Sequence, residues 1–243
     1  MQQFFSFFKL LFVLQKKNHI VGFLIGLLPI LITSISIEFF IGKLISGNID
    51  TMQPGLKAVN VLVYFLIANS LTLSLTSLKK YNHILKNSYL SPSAIINAEV
   101  LMQFINFICL LMVYAFWFQF PLISLILVIV ISLLLILSII FLAHLIAPLA
   151  FIFDDFERIF GLIMQLLFWL SPVIYFIRDI KSNFAYLITL NPFHLFYELN
   201  FLCFYPHLFD EELFYLSGLT FIVFFAVIYI VLKDLKSKLR LFL

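Results

Sequence analysis

Residues 122–151 contain no Asp, Glu, Lys or Arg. Crossing about 30 Å of hydrocarbon takes about 20 helical residues, so this stretch is longer than one crossing requires. Pro148 lies near its end. A proline inside a helix removes a backbone donor and clashes one turn back, so the regular helix is expected to kink or stop there.

The rest of the chain follows the same pattern. Hydrophobic residues make up 64% and charged residues 11% of its 243 residues, and the mean hydropathy is +1.14. Soluble domains carry about 45–50% apolar and about 25% charged residues. There is too little polar surface here to cover a water-facing globule. The chain reads as one integral membrane domain, all-α, because helices satisfy their own backbone groups in lipid. Six stretches are long enough to cross: residues 20–41, 57–78, 97–118, 122–151, 159–177 and 213–232. The apolar segment at 4–14 is too short, and Lys16 and Lys17 follow it rather than precede it. It reads as an interfacial helix within residues 1–19, with no cleavable signal peptide.

Positive charge sets the orientation. With the N-terminus inside, the inner side collects Lys9, Lys16, Lys17, Lys79, Lys80, Lys86, Arg158, Lys233, Lys236, Lys238 and Arg240. The outer side keeps only Lys43, Lys57, Arg178 and Lys181. Both termini are therefore expected in the cytoplasm. The third and fourth spans are joined by little more than "QFP", so they form an antiparallel pair.

The longest connection lies between the last two spans and is mostly apolar. An outer loop in water has no reason to be so apolar. Asn191-Pro192 divides it, and the residue before a proline disfavours helix. Two short helices that dip into the membrane and return are the reading that fits; a hairpin packed on the outer surface is the alternative. Broken backbone at membrane depth is tolerated only where protein buries it or water lines it. Ser171-Pro172 breaks the preceding span in the same way, inside "LFWLSPVIYF".

Charged motifs are few. "FDDFER" at 153–158 invites a Mg²⁺-diphosphate reading through Asp154, Asp155 and Glu157, but no second acidic motif falls on the same side. A solvated loop, with its acids near the start of the next helix, is the simpler account. The histidines have no metal spacing, and Cys109 and Cys203 suggest neither a disulfide framework nor a thiolate site. No span carries a charge at its centre, which weighs against proton-coupled transport and voltage sensing. No Gly-rich phosphate loop is present. Lys79, Lys80, His83 and Lys86 sit at helical spacing in a compact inner loop ended by Ser91-Pro92. That loop is either a topology signal alone or a helix that docks a partner.

Taken in order, these features are an interfacial helix, two spans, an inner helix, "LSPSAIINAEVLMQF", a hairpin of spans, "FDDFERIFGLIMQLLFWLSPVIY", a broken "TLNPFHLFYELN" and a last span. This order resembles the membrane subunit of ABC type-2 transporters that export polysaccharides such as O-antigen, capsule and teichoic acid. The likeness covers nearly the whole chain and is strongest at "SPVIY" followed by "NPFHLFYELN". The chain departs from the family at Asp154-Asp155, where Arg-Asp is frequent, at the first span, which lacks a Trp, and at Asn200, where Arg is common.

The resemblance implies a single permease domain over residues 1–243, with six transmembrane helices, a cytoplasmic coupling helix at 79–90 and re-entrant outer-gate helices over 181–204. It implies a homodimer in the inner (plasma) membrane that moves a lipid-linked glycan, with two copies of a separate ATPase subunit. ATP and Mg²⁺ would be bound by that partner; this chain would be no enzyme and would hold no cofactor, metal or nucleic acid. Lys79, Lys80, His83 and Lys86 would contact the ATPase. Ser171, Pro172, Tyr175, Phe184, Tyr186, Asn191, Pro192, Phe193, Phe196 and Tyr197 would form the outer gate and channel mouth, where flat aromatic faces suit sugar rings. Two other readings stay open: a type-2 exporter of drugs or small lipids, and a membrane enzyme acting on a polyprenyl substrate.

Overall fold

The computed structural model describes residues 27–36, 55–87, 91–153, 155–173, 188–206 and 210–239. These residues are helical apart from short turns, with no strand among them. In chain order the helices are α1 (Leu27–Ser36), α2 (Leu56–Lys80), α3 (Asn82–Asn87), α4 (Pro92–Phe118), α5 (Leu122–Ile152), α6 (Phe156–Trp169), α7 (His194–Phe204) and α8 (Glu211–Leu239). Four of them, α2, α4, α5 and α8, are long and apolar enough to cross a membrane. The chain is a multi-pass membrane protein on that ground.

The helix ends follow from local chemistry. Ser91 caps α4 by accepting from the Ala94 N–H at 3.3 Å, and Pro92 takes the first helical position, where its missing donor is not needed. Gln119, at φ 53°, closes α4, and α5 starts directly after Pro121. The expected tight hairpin is therefore present, with Phe118 and Phe120 stacked at 5.9 Å across the turn. Gly55 precedes α2 at φ 100°, and a Cβ there would lie 2.6 Å from the Phe118 ring, so only glycine fits.

The centre of the molecule is α2, packed against α4, α5, α6 and α7. Its best membrane-crossing window is 72% buried, against 6% for α8. In lipid no hydrophobic force holds helices together, so close approach of small residues must serve. Ser70, Ser74 and Ser77 supply it on one face of α2. The Ser74 hydroxyl donates to Ser70 O at 2.6 Å and the Ser77 hydroxyl to Ser74 O at 2.7 Å, so those two hydroxyls are answered within the helix. Tyr114 of α4, buried, hydrogen-bonds Ser34 of α1 and ties that segment to the bundle.

Three expectations change. Pro148 does not end α5, which continues to Ile152. The fifth stretch, expected to cross over 159–177, forms a helix of 14 residues that ends at Trp169. That is about 21 Å at 1.5 Å per residue, and residues 174–177 of the expected span lie outside the described residues. Its end is set by Pro172, which has no N–H to continue the ladder. Of the first stretch only α1 is described; residues 1–19 and 20–26 lie outside the described residues. The inner loop also divides differently from 79–90: α2 runs on through Lys80, turns at Tyr81 and resumes as α3. Lys79 and Lys80 thus close the last turn of α2, where positive charge complements the helix dipole.

Candidate functional site

Ser171-Pro172 and Asn191-Pro192, 20 residues apart in the chain, meet in space. The end of α6 leaves carbonyls that the proline cannot answer, and the local backbone solves this residue by residue. Leu166 O accepts from Leu170 N at 3.0 Å, and Phe168 O accepts from Ser171 N at 3.3 Å. Leu167 O takes the Ser171 hydroxyl at 2.5 Å. Val173 N donates to Ser171 O at 2.7 Å, closing a tight turn around Pro172. With its proton used on Leu167, Ser171 Oγ accepts from Asn191 Nδ2 at 2.7 Å.

Asn191 works in both directions. Its Oδ1 accepts from the Phe193 N–H at 3.0 Å, and its backbone O accepts from His194 N at 2.9 Å. The same residue therefore turns the chain into α7 and binds the end of α6. Asn191, Pro192 and Ser171 are buried. Asn60 of α2 completes the junction by donating from Nδ2 to Pro172 O at 3.2 Å. One helical turn along α2, the Tyr64 hydroxyl donates to Met164 O at 2.9 Å, and its ring meets Phe168 edge-on at 4.8 Å. Neither Asn60 nor Tyr64 was singled out from the sequence. Their i, i+4 spacing within the otherwise apolar stretch 58–68 was the available signal.

The segment at 188–205 keeps to one end of the bundle. Thr220 Oγ1 of α8 donates to Thr189 O at 3.0 Å, and His194 Nδ1 pairs with the Ser217 hydroxyl of α8 at 2.6 Å. Ser124, in the first turn of α5, donates to Cys203 O at 2.6 Å, and Phe120 meets Phe204 at 5.1 Å. The helix α7 has 11 residues, about 16 Å, and both its ends are answered by neighbours that lie near Gly55 rather than near Lys80. Phe193, Phe196 and Tyr197 are buried in the core of the single chain. Tyr175, Phe184 and Tyr186 lie outside the described residues, as does the first of the two expected short helices apart from Ile188, Thr189 and Leu190.

The opposite end carries the charges. Lys79 Nζ lies 3.3 Å from Glu157 Oε1, joining the end of α2 to the first turn of α6. Lys80 lies 3.9 Å from Glu99 of α4, a buried carboxylate, and 4.9 Å from the Tyr81 ring centroid. Burial raises the Tyr81 phenol above its ordinary range, so its hydroxyl stays protonated beside these charges. Asp155 and Arg158 pair at 3.8 Å on the exposed surface. His83 and Lys86 are exposed on α3. Glu99 and Glu157 gained partners here that their positions in the sequence did not announce.

A third polar feature lies between these ends. Asn69, Gln103 and Asn106 line a crevice between α1, α2 and α4, walled by Phe65, Phe107 and aliphatic side chains. Asn106 Nδ2 donates to Gln103 Oε1 at 3.3 Å. In comparisons with known proteins the chain matches no family model, and no characterised protein aligns with it.

Proposed function

We propose that the chain is the membrane subunit of an ATP-driven ABC type-2 exporter, moving a lipid-linked polysaccharide across the inner membrane as a homodimer. ATP binding and hydrolysis belong to a separate P-loop subunit present in two copies. The observation that carries this reading is the junction of Ser171 and Asn191. Two proline-broken segments meet at 2.7 Å inside a protein whose backbone must be satisfied without water. Protein side chains answer each break, as a gate requires if the broken backbone is to survive at membrane depth. On this reading the segment at 181–204 is re-entrant, six spans cross, both termini are cytoplasmic, and the end near Gly55 faces outward.

In that frame the inner surface around α3, with His83 and Lys86 exposed, receives the ATPase. Phe193, Phe196 and Tyr197 pack the gate in its closed arrangement, and Tyr175, Phe184 and Tyr186 belong to the channel mouth. The acids of "FDDFER" support a structural role better than a metal-dependent one, because Asp155 faces Arg158 and Glu157 faces Lys79. The chain solubilised from its native membrane under conditions that preserve complexes should bring down a P-loop ATPase. Recovery of none would overturn the proposal. Deletion of the gene should remove a surface polysaccharide; altered drug sensitivity alone would move the substrate to small amphiphiles.

A further inference from the structure

Helix α6 is held unlike its neighbours. Of its 14 residues only Phe160 and Met164 are buried, while Ile159, Leu162, Ile163, Leu166 and Trp169 are exposed. In lipid those exposed residues exert no force toward the bundle. What sets the register of α6 on α2 is a ladder of polar contacts at three levels. Lys79 pairs with Glu157 at the first turn, the Tyr64 hydroxyl meets Met164 O midway, and the Asn60 amide meets Pro172 O beyond the last turn. The two ends differ in kind. Glu157 is tied to the helix that leads into α3, and Ser171 is tied to Asn191 at the start of α7.

We propose that α6 is a transmission rod, in which Glu157 takes up displacement of the α2–α3 turn through Lys79 and Ser171 delivers it to Asn191, so that one helix couples the charged end of the bundle to the proline-broken end. Glu157 and Lys79 are positioning residues in this scheme. A helix of this length is stiff along its axis, because its backbone hydrogen bonds run end to end. A coupling claim needs an element with two arrangements that both ends bias. The ladder provides for one: its three polar rungs, each with a defined donor and acceptor, can break and re-form as a set. The inference rests on the exporter reading only for what displaces α3; the link from Glu157 to Asn191 stands on the contacts alone.

The test reads the far end while changing the near end. In full-length chain bearing Cys109→Ala and Cys203→Ser, Leu190→Cys is labelled with an impermeant maleimide in sealed cells. Leu190 is 63% exposed beside Asn191. Glu157→Lys should change the labelling rate about two- to fivefold, the range expected for loss and reversal of a half-exposed ion pair. Lys79→Glu in the same chain should restore it, and Glu157→Gln should give an intermediate rate. Adding Ser171→Ala should abolish the response to Glu157→Lys. A reporter at Phe116→Cys, on α4 and 87% exposed, should stay constant throughout. Monodisperse recovery in detergent is checked for every variant, and Glu157→Gln carries the test if a reversed charge fails to fold. An unchanged Leu190→Cys rate in folded Glu157 variants, or a change that Lys79→Glu does not reverse, overturns the rod. Neither outcome depends on whether an ATPase or a polysaccharide is found.

Discussion

At the scale of single residues, the junction makes sharp demands. Asn191 uses its oxygen to start α7 and its nitrogen to hold Ser171, so alanine at this position removes both services. Side-chain hydrogen bonds between membrane helices average about 0.6 kcal/mol and reach about 1.7 kcal/mol. Asn191→Ala is therefore expected to lower stability by about 1–2 kcal/mol, and Ser171→Ala by about 1 kcal/mol, with the double variant less than additive. Reversible unfolding in mixed micelles measures all three; full additivity would show that the two side chains do not interact. Gly55→Ala is the second residue-scale prediction. Its φ of 100° and the Phe118 ring 2.6 Å from the added Cβ place strain on both backbone and neighbour. A loss of about 1–3 kcal/mol is expected, seen as a lower thermal midpoint in detergent. A Phe118→Ala background should relieve part of it.

At the scale of elements, α2 depends on side chains that stay small. Ser74 is fully buried and its hydroxyl bonds only its own helix at Ser70 O, so Ser74→Ala should be close to neutral. Ser74→Leu forces neighbouring helices apart and should destabilise by about 1–3 kcal/mol or prevent recovery of folded protein. Size-exclusion profiles of the two variants side by side give the answer; equal profiles would mean that α2 is not tightly packed there. The short α6 behaves in the opposite way. Only Phe160 and Met164 of it are buried, and polar contacts join it to α2 at three levels, so its place depends on register more than on buried area.

At the scale of the whole molecule, the exposed surface identifies the solvent. Ile222 of α8 is 66% exposed. In a water-facing protein Ile222→Lys would be harmless. In a bilayer a lysine at the centre of a spanning helix is penalised by about 2.5–3.5 kcal/mol on the insertion scale. The variant is expected to insert poorly, measured as the glycosylated fraction in a membrane-insertion assay with α8 presented as the test segment. Insertion equal to that of the unaltered α8 would contradict a spanning α8.

Much of this architecture was legible without coordinates. An unbroken apolar run can only be a helix in lipid, because no other local structure satisfies its backbone there, and α2, α4, α5 and α8 follow from that alone. Ser91-Pro92 and the turn after Phe118 were equally readable, since capping and proline chemistry act within a few residues. The breaks at Ser171-Pro172 and Asn191-Pro192 were legible for the same reason; that the helix ends already at Trp169 was not, because the apolar run looked sufficient to carry it up to and past the proline. Composition and order bound the chain to membrane helices, and local chemistry set where most of them begin and end. Which breaks face each other, which lysine meets Glu157, and that Asn60 and Tyr64 hold α6 in place were decided only by the tertiary structure. Those pairings join residues separated by 20 to 112 positions, and only packing brings such distant polar groups within hydrogen-bonding reach, where lipid offers them no other partner.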